Sequence, residues 1–162
     1  MGNINRLYLD MDGVLVDFDS RVEEFGCRKF AGKSPSAIDW DIPRRIGPDF
    51  WANMKWMPGA DAFFAACREL CNATGIEMGI LTAIEMPAGV KGKTLWTHWN
   101  TDIDNEHLII VRHGEDKAKF ARPDRLLVDD TDKNVDGFIA AGGQAILYKD
   151  PKSALAEIMR RI

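Results

Sequence analysis

The chain has 162 residues, with 21 Lys and Arg against 25 Asp and Glu and a formal net charge of −4. That length suits one domain that buries a core without disulfides or metal staples, and 46% apolar with 28% charged residues excludes a disordered tail. The mild acidity argues against an extended nucleic-acid surface, because a phosphate-backbone binder needs a basic stripe. A local cationic site for a small phosphorylated substrate stays open.

Cys27, Cys67 and Cys71 make no paired framework. Cys67 and Cys71 stand at i,i+4 and read as reduced thiols on one helix, since no His or Cys cluster supplies the other ligands of a zinc site. The first residues are polar, and no run reaches the roughly 18 apolar residues that span a bilayer. A cytoplasmic protein without a membrane partner is expected.

In chain order, Arg6 to Asp10 reads as a short buried strand. Asp19 to Met57 is a mixed segment of helix-like stretches broken by Gly32, Pro35, Pro43, Gly47 and Pro48. Pro58-Gly59 opens a helix whose Ala60, Phe63, Phe64, Cys67, Leu70 and Cys71 form one apolar stripe, stopped by Gly75. Ile76 to Leu81 is a second strand ending at Thr82. Pro87 to Gly92 reads as a loop and Lys93 to Asn100 as a helix, with Trp96 and Trp99 packing from it. Leu108 to Val111 is a third strand, an apolar run buried on both faces. Arg125 to Val128 is a fourth, ending in Asp129-Asp130. A helix carrying Val135, Phe138 and Ile139 follows, stopping at Gly142-Gly143. Gln144 to Tyr148 is a fifth strand. Asp150 caps a last helix with Pro151 at its first position and Leu155, Ile158, Met159 and Ile162 on its inner face.

Strands alternating with helices imply a doubly wound, parallel α/β sheet. Such sheets bind ligands at the carboxyl ends of their strands. Asp10, Thr82 and Asp129-Asp130 all stand at such ends, so three separate segments converge on one edge. In the turn Asp10-Met11-Asp12-Gly13, residues two apart face the same side, and Gly13 permits a tight turn. Four clustered carboxylates repel unless a cation neutralises them. An all-oxygen set without His or Cys points to Mg²⁺. Taken singly, Asp-x-Asp-Gly is equally a plain turn and Asp129-Asp130-Thr131-Asp132 an acidic helix start. Asp17, Asp19 and Asp132 read as helix caps, and His98, His107 and His113 show no metal spacing.

These residues carry a resemblance. Asp10-Met11-Asp12-Gly13-Val14-Leu15-Val16-Asp17 resembles the first motif of the haloacid dehalogenase superfamily of phosphotransferases. Leu81-Thr82 resembles its second motif, a lysine ahead of the fourth strand its third, and Leu127-Val128-Asp129-Asp130 its fourth. A narrower resemblance is to the 5′(3′)-deoxyribonucleotidases. It rests on Asp12 to Phe18, the Phe50-Trp51 to Pro58-Gly59-Ala60 passage, and Lys93-Thr94-Leu95-Trp96. The resemblance implies a single Rossmann-like domain over 1–162, with a small, mainly helical cap inserted after the first strand at roughly 19–57.

It further implies an Mg²⁺-dependent phosphomonoester hydrolase with an aspartyl-phosphate intermediate. Asp10 would be the nucleophile and Asp12 the general acid and base. Mg²⁺ would be held by an Asp10 carboxylate oxygen, the Asp12 backbone carbonyl and the Asp130 carboxylate, with Asp129 behind them. Thr82 would bind a phosphoryl oxygen. Lys119 fits the motif spacing, with Lys117 as runner-up. Phe18 and Trp51 are candidates for a base-binding pocket, although cap packing explains them as well. The implied partner is a nucleoside monophosphate. Rivals are a polynucleotide 3′-phosphatase, a general small-molecule phosphatase of the superfamily, and a non-catalytic nucleotide- or protein-binding module on the same fold.

Overall fold

The short apolar runs become strands, and the 3.6-periodic stretches between them become helices. The structure, a computed structural model, describes residues 3–162. Its strands are β1 (Arg6–Leu9), β2 (Glu77–Ala83), β3 (Leu108–Val111), β4 (Arg125–Asp129) and β5 (Gln144–Leu147). They form one sheet in the order β3-β2-β1-β4-β5, and every pairing is parallel. The helices are α1 (Phe18–Glu24), α2 (Asp41–Ile46), α3 (Asp49–Ala52), α4 (Ala60–Thr74), α5 (Pro87–Asn100), α6 (Asp132–Ala140) and α7 (Pro151–Arg161). Two 3₁₀ segments, Pro35–Ala37 and Gly114–Phe120, complete the chain. No helix among the described residues is long and apolar enough to cross a membrane.

Alternation along the strands splits the core in two. Leu7, Leu9, Ile80, Leu126, Val128 and Ile146 meet residues of α4, α5 and α7 on one face. Tyr8, Leu81, Leu127 and Ala145 meet α6 on the other. The switch in strand order lies at β1, flanked by β2 and β4, so the crevice expected of such sheets opens where Asp10 leaves β1.

The α4 stripe is buried as its spacing requires, and Gly75 closes the helix in the left-handed conformation. Cys67 and Cys71 are free and buried, and burial pushes their thiols up to about 12 and about 11. Asp17 caps α1 and Asp150 caps α7, each accepting an amide bond three residues on. Three sequence expectations need correction. First, α5 begins at Pro87, not at Lys93. Gly89 and Gly92 lie inside it because α3 packs against them: a Cβ at Gly92 would collide with Pro48 O and Trp51. Second, β3 is half-buried at every position. It is an edge strand, so one side has no neighbour. Third, Trp99, Ile139 and Met159 are exposed, lying off the buried stripes of their helices.

The insertion between β1 and α4 is clasped at its base. Asp17 N–H donates to Lys55 O and Met57 N–H to Leu15 O, both at 2.8 Å. Its far side rests on α5, where Trp96 Nε1 donates to Met54 O at 2.8 Å.

Candidate active site

Asp10 follows the last residue of β1, and its amide still bonds Val128 O of β4. The chain then coils, with Val14, Leu15 and Val16 amides all reaching Met11 O. Gly13 sits at φ +77°, and a Cβ there would collide with Asp130 Oδ2. Only glycine satisfies both the backbone angle and the close approach of the β4 loop. The first and fourth segments are thereby pressed together.

Two buried lysines organise the acids. Lys117 Nζ lies 2.8 Å from Asp10 Oδ1 and 2.6 Å from Asp129 Oδ2. Burial alone would weaken its ammonium, but Asp10 and Asp129 outweigh burial and hold its pKa above the ordinary lysine value. Lys119, the residue favoured by spacing, points away: its side chain is 74% exposed and pairs with Asp116. The reason is local. Gly114–Phe120 is a 3₁₀ segment with three residues per turn, so side chains two apart diverge.

Lys93 carries no role in the sequence reading beyond the narrower resemblance. It is fully buried on α5 and donates to Thr82 Oγ1 at 2.7 Å, Asp12 Oδ2 at 2.9 Å and Ala83 O at 3.0 Å. Thr82 is itself fully buried at the end of β2; its Oγ1 accepts from Lys93, and its own O–H makes no hydrogen bond among the described residues. An expected loop at Pro87 to Gly92 hid this lysine, because a helix starting at Pro87 is what turns it toward β2.

The carboxylates divide into held and free atoms. Asp129 is saturated. Its Oδ1 accepts from Thr131 N–H at 2.9 Å, its Oδ2 accepts from Lys117, and Asn134 Nδ2 reaches both at 3.2 Å. Asp10 Oδ1 takes Lys117 and the Met11 amide at 2.8 Å, while Oδ2 accepts no hydrogen bond among the described residues. Asp12 Oδ1 is buried with no partner. Asp130, exposed at the rim, has one long contact from Thr131 Oγ1 at 3.4 Å. Burial raises the Asp10 pKa to about 7; Lys117 opposes this, and Asp129 and Asp12 add to it. Burial on its inner side also raises Asp130, again with Asp129 and Asp12 contributing.

This donor set fits a hard divalent cation. Oxygens of Asp10, Asp129 and Asp130 lie within 4.8 Å of one another. Asp129 is already engaged, which leaves one oxygen of the Asp10 carboxylate and Asp130 as carboxylate donors. The Asp12 carbonyl accepts no backbone hydrogen bond among the described residues. With all four carboxylates ionised, they exceed the two ammoniums by two negative charges, that of one divalent ion.

Among the proposed pocket residues, Phe18 is half-buried and stacks on Trp40 with ring centroids 6.1 Å apart. Trp51 is fully buried, wedged against Gly89 and Gly92 of α5, and presents no surface to a substrate. His113 caps the 3₁₀ segment, and His107 pairs with Asp104 at 2.6 Å.

No protein-family model matches the chain, and no curated protein matches it. Solved structures do. A haloacid dehalogenase-like hydrolase from Xanthomonas campestris aligns at TM-score 0.60 and 10% identity, over 99% of this chain and 96% of that one. A HAD-superfamily hydrolase from Ehrlichia chaffeensis aligns at 0.53 and 12%, over 99% and 98%. L-2-haloacid dehalogenase from Xanthobacter autotrophicus, with chloropropionic acid covalently bound, aligns at 0.52 and 12%, over 97% and 83%. At these identities the likeness is one of fold, and the fold of this chain is the Rossmann-like α/β fold of the haloacid dehalogenase-like hydrolases.

Proposed function

We propose that the protein is an Mg²⁺-dependent phosphomonoester hydrolase acting through an aspartyl-phosphate, with nucleoside monophosphates, deoxy forms above all, as substrates. The observation that carries this reading is the asymmetry of Asp10. One oxygen is locked by Lys117 and the Met11 amide, and the other accepts no hydrogen bond among the described residues. A carboxylate held this way is an oriented nucleophile.

Asp10 Oδ2 attacks phosphorus, and the ester oxygen leaves. Asp12 supplies the proton to that oxygen and later takes one from the attacking water. Thr82 O–H donates to a phosphoryl oxygen, and the two buried lysines offset charge gathered there. Asp10, Asp130 and the Asp12 carbonyl would hold the cation, which when bound offsets repulsion between the phosphate and the carboxylates. The covalently occupied dehalogenase neighbour supports covalent chemistry on this fold. The local excess of acid over base favours a metal-assisted phosphoryl reaction here.

The half-buried Phe18 and Trp40 rings on the insertion support a planar base as the rest of the substrate, with the insertion acting as cap. The test is phosphate release from 5′- and 3′-nucleotides, deoxy and ribo, beside sugar phosphates, an aryl phosphate and a 3′-phosphorylated oligonucleotide. Preference for deoxynucleoside monophosphates with Mg²⁺ is expected. Equal rates on sugar phosphates would remove the nucleotidase assignment, and no turnover of any ester by folded protein would remove the enzyme. Asp10→Asn is expected to abolish turnover and leave the fold intact.

A further inference from the structure

We propose that β3 is a dimerisation edge, on which two copies of this chain pair antiparallel about a two-fold axis at Ile109. Hydrogen-bond parity decides which backbone groups of β3 face outward. Ile80 N–H donates to His107 O and Ile84 N–H to Val111 O, and the register sets Ile80 beside Leu108 and Thr82 beside Ile110. The odd-numbered residues of β3 therefore turn their backbone groups to β2. Leu108 and Ile110 turn theirs outward, where they meet no partner among the described residues.

This edge is unusual in what it leaves undefended. Exposed edges are ordinarily blunted by shortness, charge, proline or a covering element; β3 is short, at four residues, but has neither charge nor proline. Here the strand is Leu-Ile-Ile-Val, half-buried at every position. The neighbouring α5 carries Leu95 and, one turn on, Trp99, which is 60% exposed.

The flanks choose the occupant. In an antiparallel pair about Ile109, Leu108 of one copy faces Ile110 of the other, and each such pair exchanges two backbone bonds. Just beyond the strand ends, the same alignment brings Glu106, in the turn before β3, toward Arg112 of the second copy, on both sides of the axis. Both residues are exposed. Arg112 holds Glu85 through Nε and Nη2, which leaves Nη1 free for the incoming carboxylate. The edge is thus self-complementary in backbone, apolar character and charge, as an isologous interface requires. The other edge, β5, lacks this match: Lys149, Glu157, Arg160 and Arg161 line the groove beside Ala145 and Leu147, and Glu157 is already taken by Arg160 and Arg161, which leaves no carboxylate there for a second copy's cation.

Antiparallel pairing points the carboxyl ends of the two sheets in opposite directions, so both candidate active sites stay open. Activity per chain should be indifferent to dissociation, and the proposal stands or falls apart from the reading of function.

Sedimentation velocity on the full chain should give twice the 18.2 kDa chain mass. Amide exchange should be slow at Leu108 and Ile110. Glu106→Arg should weaken the dimer by at least about tenfold through like-charge contact with Arg112, and adding Arg112→Glu should restore it. Leu108→Pro deletes one outward N–H and no bond to β2, and should give a folded monomer. A monomeric wild type at every concentration overturns the proposal. So does a dimer unmoved by Glu106→Arg, or one whose Leu108 and Ile110 amides exchange freely.

Discussion

Lys93 Nζ sits 2.9 Å from Asp12 Oδ2, joining α5 to the loop after β1. The same ammonium holds Thr82 and the Ala83 carbonyl. It fixes the geometry between the proposed acid and the proposed phosphate donor. Lys93→Met keeps the stem and removes the charge. The expected result is a fall in kcat/KM of about 10²–10³-fold, in the range for losing one preorganised electrostatic partner. Steady-state kinetics on the best phosphoester of the panel checks it. A change below threefold would mean that Lys93 serves packing alone.

Lys117 and Lys119 give a sharper contrast, because they differ in position by two residues and in burial almost completely. Lys117→Met strands two buried acids, Asp10 and Asp129. Breaking such a buried pair from one side costs about 3–5 kcal/mol. Lys119→Met removes an exposed pair with Asp116, worth at most about 1 kcal/mol. Urea unfolding of the two variants should separate them by midpoint, with activity lost only in the first.

Much of the fold was legible in the sequence. Strand runs, the α4 stripe and the convergence of Asp10, Thr82 and Asp129-Asp130 follow from periodicity and topology, which are local or nearly so. What escaped depended on long-range contact. The glycines of α5 argue for a loop until α3 is seen packed on them, and with that helix start went Lys93. The choice between Lys117 and Lys119 turned on a 3₁₀ twist that spacing does not encode. Asn134, which braces Asp129, carries no signal of its own. β3 reads as buried on both faces because Leu-Ile-Ile-Val suits such a strand, and nothing in four apolar residues tells an edge from a centre.

Cation binding should depend on pH with a definite sign. Burial raises Asp10 to about 7, above its unfolded value. Without cation, the folded state therefore holds the extra proton between the unfolded carboxylate range and about 7, and stability falls as pH rises through that window. A divalent ion competes with that proton, so the stabilisation it adds grows over the same window and levels off above about 7. Thermal unfolding with and without Mg²⁺ measures it: the gain in Tm should be small near pH 5 and full near pH 8 (about these values). Gly13→Ala, which drives a Cβ into Asp130 Oδ2, should lose the gain at every pH. A gain that shrinks as pH rises would contradict the assignment of Asp10 as a cation ligand.

The contact of α3 with α5 makes a prediction about substrate binding that leaves the acids untouched. Gly92 lies beneath Pro48 O and the Trp51 Cβ, and Phe50 packs edge-on against Phe18. A side chain at Gly92 must push α3 outward, and the displacement passes through Phe50 to the Phe18–Trp40 pair. Gly92→Ala should destabilise the fold by about 1–3 kcal/mol, as overpacking does. It should also raise KM for a nucleotide more than KM for a small aryl phosphate, since only the former would use the rings on the insertion. Gly142→Ala has its own backbone cost at φ +91° but nothing near its Cβ, so it serves as the stability-matched control and should shift neither KM. Equal KM changes on the two substrates in Gly92→Ala would separate the insertion from substrate recognition.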